Sequence, residues 1–176
     1  MASKFLQFTV LILVSSTAII SCKADVEEFS ELEKSEIRKA IGRKVQDGVI
    51  ATRDKDIDTY MAQLPEDLLI HDEDGKVISR EQQREYTLRS WEIIDTTLFI
   101  AVLIDSIRFS GRDSVIVYNS QRWERLMLQR DGLTLDTILT TQRHRETWKK
   151  NNKGWFGYTI EELGGEIFIN GQPYSE

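Results

Sequence analysis

The sequence predicts an α+β domain in which one curved antiparallel sheet wraps three N-terminal helices. Three observations carry that expectation. Apolar residues recur at helical spacing before Asp95, the period changes to two after it with β-branched residues dominant, and only three helical segments are available to cover four long strands. A single bent sheet closed on those helices is the economical packing, and such a cone leaves a cavity where sheet and helices diverge.

Each element has its own signal. Ile37, Ile41, Val45 and Val49 recur every four residues and predict a first helix from Ser35. Ile57, Tyr60, Met61 and Leu64 repeat the stripe over 54–64, and Pro65 ends it. Leu68-Leu69-Ile70-His71 and Lys76-Val77-Ile78 predict a short hairpin around the turn-forming Asp72-Glu73-Asp74-Gly75. Ser79 with Gln82 three positions on is a capping box that opens a third helix through Trp91. Strands are predicted over 98–107, 115–128, 137–150 and 155–160, separated by Ser110-Gly111-Arg112-Asp113, Arg130-Asp131-Gly132 and Asn151-Asn152-Lys153-Gly154. The cone domain is expected over 35–163, without repeats, and 164–176 form a C-terminal tail with room for one short extra strand or turn.

The 176 residues are 40% hydrophobic and 30% charged, which suits one soluble core. With 23 Lys plus Arg against 29 Asp plus Glu, the net charge of −6 argues against nucleic acid as a partner. One Cys and two His allow no internal disulfide and make poor material for a metal cage. His71-Asp72 with His144-x-Glu146 is the only arrangement resembling a two-part metal site, and no metal or cofactor is expected. There is no Gly-x-Ser-x-Gly elbow, phosphate loop or dinucleotide fingerprint.

Residues 1–21 read as a signal peptide of lipoprotein type. Lys4 precedes an apolar run over 5–20, and Ile19-Ile20-Ser21-Cys22 resembles the bacterial lipoprotein box. The single Cys stands where a thiol would take a thioether-linked lipid, and 22–34 would form a charged tether. The expected location is the bacterial cell envelope, with the exported protein held on a membrane through lipidated Cys22; a secreted protein is the alternative.

Four stretches taken in order carry a wider resemblance: Asp56-Ile57-Asp58, Glu66-Asp67, Asp74-Gly75 before Ile78-Ser79-Arg80-Glu81, and Arg143-His144-Arg145-Glu146-Thr147-Trp148 before Gly154-Trp155. They resemble the nuclear-transport-factor-2-like superfamily, which includes ketosteroid isomerase and polyketide cyclases, over roughly 35–162. The resemblance implies a cystatin-like α+β cone with a pocket, a homodimer through the outer face of the sheet, and no shared chemistry. In the isomerases the general base is an Asp in a Glu-Asp-Pro-x-Gly turn. The resemblance puts Asp72 at that place, with His71 or a pocket Tyr as proton partner. Gly48 falls where the family's oxyanion-binding Tyr would lie, so a donor for the developing enolate oxygen is missing.

Other candidate positions come from strand parity. Tyr118, Ser120, Arg122 and Glu124 share one face of their strand, and Asn119, Gln121, Trp123 and Arg125 share the other. On the next strand Gln142, His144, Glu146 and Trp148 oppose Thr141, Arg143, Arg145 and Thr147. Parity leaves open which face lines the cavity. Candidate ligand contacts are Tyr60, Tyr86 and Trp91 on the helices, for which core packing is the alternative. Tyr118, Arg122, His144, Glu146 and Trp148 are the candidates on the strands, for which cross-strand pairing is the alternative. Trp148 and Trp155 flank the Asn-Asn-Lys-Gly turn as an expected cross-strand pair. Three functions stay open: a lipid-anchored accessory protein that binds a small hydrophobic ligand, a small isomerase or cyclase using Asp72, and a structural interaction module.

Overall fold

The computed structural model describes residues 28–110 and 113–174. The signal segment, Cys22 and most of the tether therefore lie outside the described residues.

Helix α1 (Glu31–Asp54) starts earlier than its apolar stripe suggests, because Ser30 caps it. The Ser30 hydroxyl accepts from the Glu33 N–H, and the Glu33 carboxylate accepts from the Ser30 N–H at 2.7 Å. Phe29, inside the segment expected as tether, is buried and edge-on to Phe109 and Trp155. Lys55, in the left-handed region at φ 53°, ends α1. Asp56 then caps α2 (Ile57–Ala62) by accepting from the Thr59 N–H. The predicted Ser79–Gln82 box opens α3 (Arg80–Ile93).

The strands are β1 (Leu69–His71), β2 (Val77–Ser79), β3 (Ile94–Ser110), β4 (Ser114–Leu128), β5 (Leu135–Asn151), β6 (Gly154–Ile169) and β7 (Gln172–Pro173). They form one curved sheet in the order β2-β1-β6-β5-β4-β3, with β7 on β6. Every pairing is antiparallel except β1 with β6, which is parallel and departs from the all-antiparallel expectation. Hairpin turns force β3 to β6 to alternate in direction; β1 enters from α2 and is free of that constraint.

The predicted tail is mostly strand. β6 runs on to Ile169, and Asn170-Gly171 turn the chain into β7. Between Gln142 and His144 the β5–β6 register slips, with one extra residue on β6. Gly164, at φ 102°, and Gly165 sit at that slip, and a Cβ on Gly165 would collide with the Thr141 carbonyl oxygen. The glycine pair thus permits the bulge that bends β6.

The helices pack on the sheet through α1 against β3 and β6 and α3 against β2 and β3, with α2 in contact with both α1 and α3. The sealed core joins Ile37 and Ile41 of α1 to Val115, Val117, Trp148 and Trp155, with Phe29 closing it. Trp148 lies opposite Gly157 rather than Trp155, because the turn sets Asn151 opposite Gly154 and so places Lys150, two residues nearer the turn than Trp148, across from Trp155. The two indoles share the core cluster without being directly paired. Among the described residues no helix is long and apolar enough to cross a membrane.

Candidate functional site

The inner face of β4 reads Val115, Val117, Asn119, Gln121, Trp123, Arg125. The two valines are fully buried in the core; the four residues after them line a cavity of about 670 Å³. Antiparallel to it, β5 runs from Trp148 through Glu146, His144 and Gln142 to Thr140 along the same space. The hollow begins where apolar filler gives way to polar side chains. Gly48 of α1, Tyr60 of α2, and Tyr86, Thr87 and Trp91 of α3 form the facing wall.

A connected polar chain sits at the inner end. The Asn119 amide nitrogen donates to one Glu146 carboxylate oxygen at 2.8 Å, and the Trp148 indole N–H donates to the other at 2.5 Å. The Asn119 amide oxygen lies 3.0 Å from His144 Nδ1. An amide whose nitrogen faces a carboxylate offers only its oxygen to the imidazole, so Nδ1 carries the proton and Nε2 keeps its lone pair. Asn119 is 2% exposed, which makes this chain part of the fold as well as of the cavity.

Burial pushes the Glu146 carboxyl above the usual carboxylate range, against the pull of the Asn119 and Trp148 hydrogen bonds. Burial holds His144 below its ordinary value, which favours the neutral ring. Tyr60 is pushed up by burial, with Gln83 and Thr87 opposing and the Glu146 charge adding to the rise. The Tyr60 hydroxyl accepts from Gln83 Nε2 at 3.0 Å, and its ring meets Trp91 edge-on at 5.8 Å. Both predicted candidates line the cavity, Trp91 as a buried side chain and Tyr60 as a half-buried residue. Tyr86 also lines the cavity while its hydroxyl accepts from Lys76 Nζ at 3.1 Å.

Toward the other end of β4, Arg125 lies 4.3 Å over the Trp123 ring. Its Nη1 donates to Thr140 Oγ1 at 3.0 Å and to the Trp123 carbonyl at 3.4 Å, and Nε faces Met127 Sδ at 3.2 Å.

Four candidates lie elsewhere. Tyr118 and Arg122 are on the outer face, with Arg108 over the Tyr118 ring and Arg122 beside Glu124 at 3.7 Å, so the parity that put them toward a ligand is corrected. Asp72 is held by its own turn, accepting from the backbone N–H groups of Asp74 at 3.1 Å and Lys76 at 2.7 Å. It borders a second hollow at the cavity rim with Glu73, Asp74, Glu162 and Glu166; Glu73, Glu162 and Glu166 also line the cavity, whereas Asp72 itself does not reach its wall. Burial, then the charges of Glu73 and Asp72, pushes Glu162 up. His71 is paired in β1 opposite Val77 and Glu161, also off the cavity wall. Among the described residues no group of three His, Cys, Asp or Glu side chains is placed to hold a metal.

Sequence reasoning missed Asn119, Gln121, Trp123 and Arg125 as site residues. Their shared parity with Val115 and Val117 was the available signal, but Ile116 and Tyr118 give the opposite parity an equally apolar start.

No family model and no curated protein matches the chain. Solved structures match its fold. A hexachlorocyclohexane dehydrochlorinase aligns over 83% of this chain and 94% of its own at 13% identity, with a TM-score of 0.65. A ketosteroid isomerase-like protein from Erwinia carotovora atroseptica aligns over 77% and 99% at 14% identity, TM-score 0.55. A nuclear-transport-factor-2-like protein from Cytophaga hutchinsonii aligns over 71% and 95% at 18% identity, TM-score 0.56. The chain has the α+β cone fold shared by these proteins, and identities this low carry the fold alone.

Proposed function

We propose that this protein binds a small, largely apolar molecule in the cone cavity and orients it with the Glu146–Asn119–His144 chain. The observation that carries the reading is the position of that chain. Polar side chains held by one another, at the inner end of an aromatic-walled space of about 670 Å³, are the usual means of fixing a ligand's orientation. Trp91, Trp123 and Trp148 all line the cavity, so ligand entry should change intrinsic fluorescence. The test is titration of the purified domain with a panel of small apolar ketones, phenols and carboxylic acids, read by tryptophan emission and native mass spectrometry. Saturable one-to-one binding that Trp123→Ala weakens at least tenfold supports the reading; failure of every compound to bind counts against it.

A second reading rests on His144. A neutral imidazole with its Nδ1 proton fixed by Asn119 is a general base in waiting, and one fold neighbour is named for removing hydrogen chloride from its substrate. In this reading His144, rather than Asp72, removes a proton from the bound molecule. Exchange of an acidic C–H of a bound ketone with deuterated solvent, lost in His144→Gln, would distinguish an enzyme from a binding module.

The cellular setting is part of the same proposal. The domain is exported, held on the envelope by a lipid on Cys22 and paired as a homodimer through the outer sheet face. The lipobox-like Ile19-Ile20-Ser21-Cys22 supports the first part, and exposed apolar side chains such as Leu103, 66% exposed on β3, support the second. Native mass spectrometry of protein from its host would report the lipid mass and the dimer together.

A further inference from the structure

Arg125 is a cation on the cavity wall with no acidic partner. Among the described residues it forms no ion pair, and the hydrogen bonds it makes go to neutral acceptors through Nη1 and Nε. Its Nη2 group has none of these bonds, and no buried polar side-chain atom of the described residues lacks a partner, so Nη2 stands open rather than sealed. The guanidinium is oriented by Trp123 beneath it and by Thr140 beside it. Glu166, the cavity acid nearest in register, stands on β6, two strands away and three positions off along the ladder, roughly 14 Å from Arg125. The other Lys or Arg on the wall, Lys44, lies 3.7 Å over the Phe156 ring with Asp47 acting on its charge.

A buried or half-buried charge without a partner carries a desolvation cost that an incoming opposite charge relieves. The guanidinium edge matches a carboxylate in shape and charge, and the net negative protein elsewhere gives such an anion few competing sites. Asn119 and Arg125 are six positions apart on β4, roughly 20 Å along a straight strand and less on a curved one. Between them lie Gln121 and Trp123 and, from β3, Ile100 and Val102.

We propose that the ligand is an elongated apolar monocarboxylate, its acid group held by Arg125 and its far end reaching the Glu146–Asn119–His144 chain. This rests on the cavity-binding reading and adds the ligand's class and direction to it.

The probe pair is 11-(dansylamino)undecanoic acid and its methyl ester, which differ in the charge at one end. Wild-type protein should bind the acid about 10- to 100-fold tighter than the ester, the range of a charge-assisted hydrogen bond. Arg125→Met should bind acid and ester with equal affinity, its circular dichroism spectrum and thermal melt showing that it is folded; Arg125→Lys should keep part of the preference. Equal binding of the two probes by wild type, or a preference that survives in Arg125→Met, overturns the assignment to Arg125 and leaves cavity binding standing. Binding of neither probe overturns both.

Discussion

Asn119 on β4 donates its side-chain nitrogen to Glu146 on β5 at 2.8 Å, diagonally across a ladder in which Asn119 faces His144 and Glu146 faces Val117. One amide therefore satisfies two titratable groups at the boundary between sealed core and open cavity. Asn119→Leu should cost about 2–3 kcal/mol, since it leaves Glu146 and His144 each short of a partner in a partly dry site. Urea denaturation of the two proteins measures it, and a change below 0.5 kcal/mol would show the chain to be dispensable for the fold.

Glu146 also sets a pH dependence. Its folded-state value is raised by burial, so the native state keeps the proton after the unfolded chain, near 4.5, has lost it. The associated stability is fully present below that value and declines as pH rises through the folded one. Glu146→Gln should flatten this limb of the stability profile, measured by chemical denaturation from pH 4 upward. An unchanged slope would mean that the carboxyl titrates normally.

His144 acts on the acid side of its own ordinary value. Its folded value is lowered by burial from 6.5, so as pH falls below 6.5 the unfolded chain takes up a proton that the native ring resists. Stability present above that pH is lost below it. The difference between wild type and His144→Gln should therefore depend on pH between the folded value and 6.5 and be constant above about pH 7.5. Nuclear magnetic resonance titration of the imidazole gives an independent check.

Two glycines should respond in opposite directions to the same methyl group. Gly165→Ala drives a Cβ into the Thr141 carbonyl and should cost about 3 kcal/mol or prevent folding. Gly42, within α1 with nothing within 4 Å of its would-be Cβ, should stabilise the protein by roughly 0.5–1 kcal/mol as Gly42→Ala. Thermal melts of the pair decide whether the β6 bulge or helix propensity governs each site.

Asp72→Ala removes the acceptor for two backbone N–H groups of its turn and should cost about 1 kcal/mol while leaving ligand affinity in the cavity unchanged. A loss of binding or turnover without a loss of stability would restore Asp72 as a functional group.

Local rules made much of the fold legible. The Ser79–Gln82 box, the Asp72–Gly75 turn and the switch to period two after Asp95 each depend on residues within a few positions of one another, and each predicted element is present. Ser30-x-x-Glu33 was equally readable and would have placed the start of α1. The bulge at Gly164-Gly165 had a weaker cue in the adjacent glycines, because its need arises from Thr141 on another strand.

The amino-acid order by itself determined which segments become helix or strand and that polar residues would fall in mid-strand on β4 and β5. The inward direction of those residues was decided only when Val115 and Val117 packed against Ile37 and Ile41 of α1, some seventy residues earlier. Strand geometry alternates side chains between two faces without saying which is wet, and only the helix layer breaks that symmetry. Packing therefore turned Asn119, Trp123 and Arg125 toward the cavity and Tyr118 and Arg122 away from it.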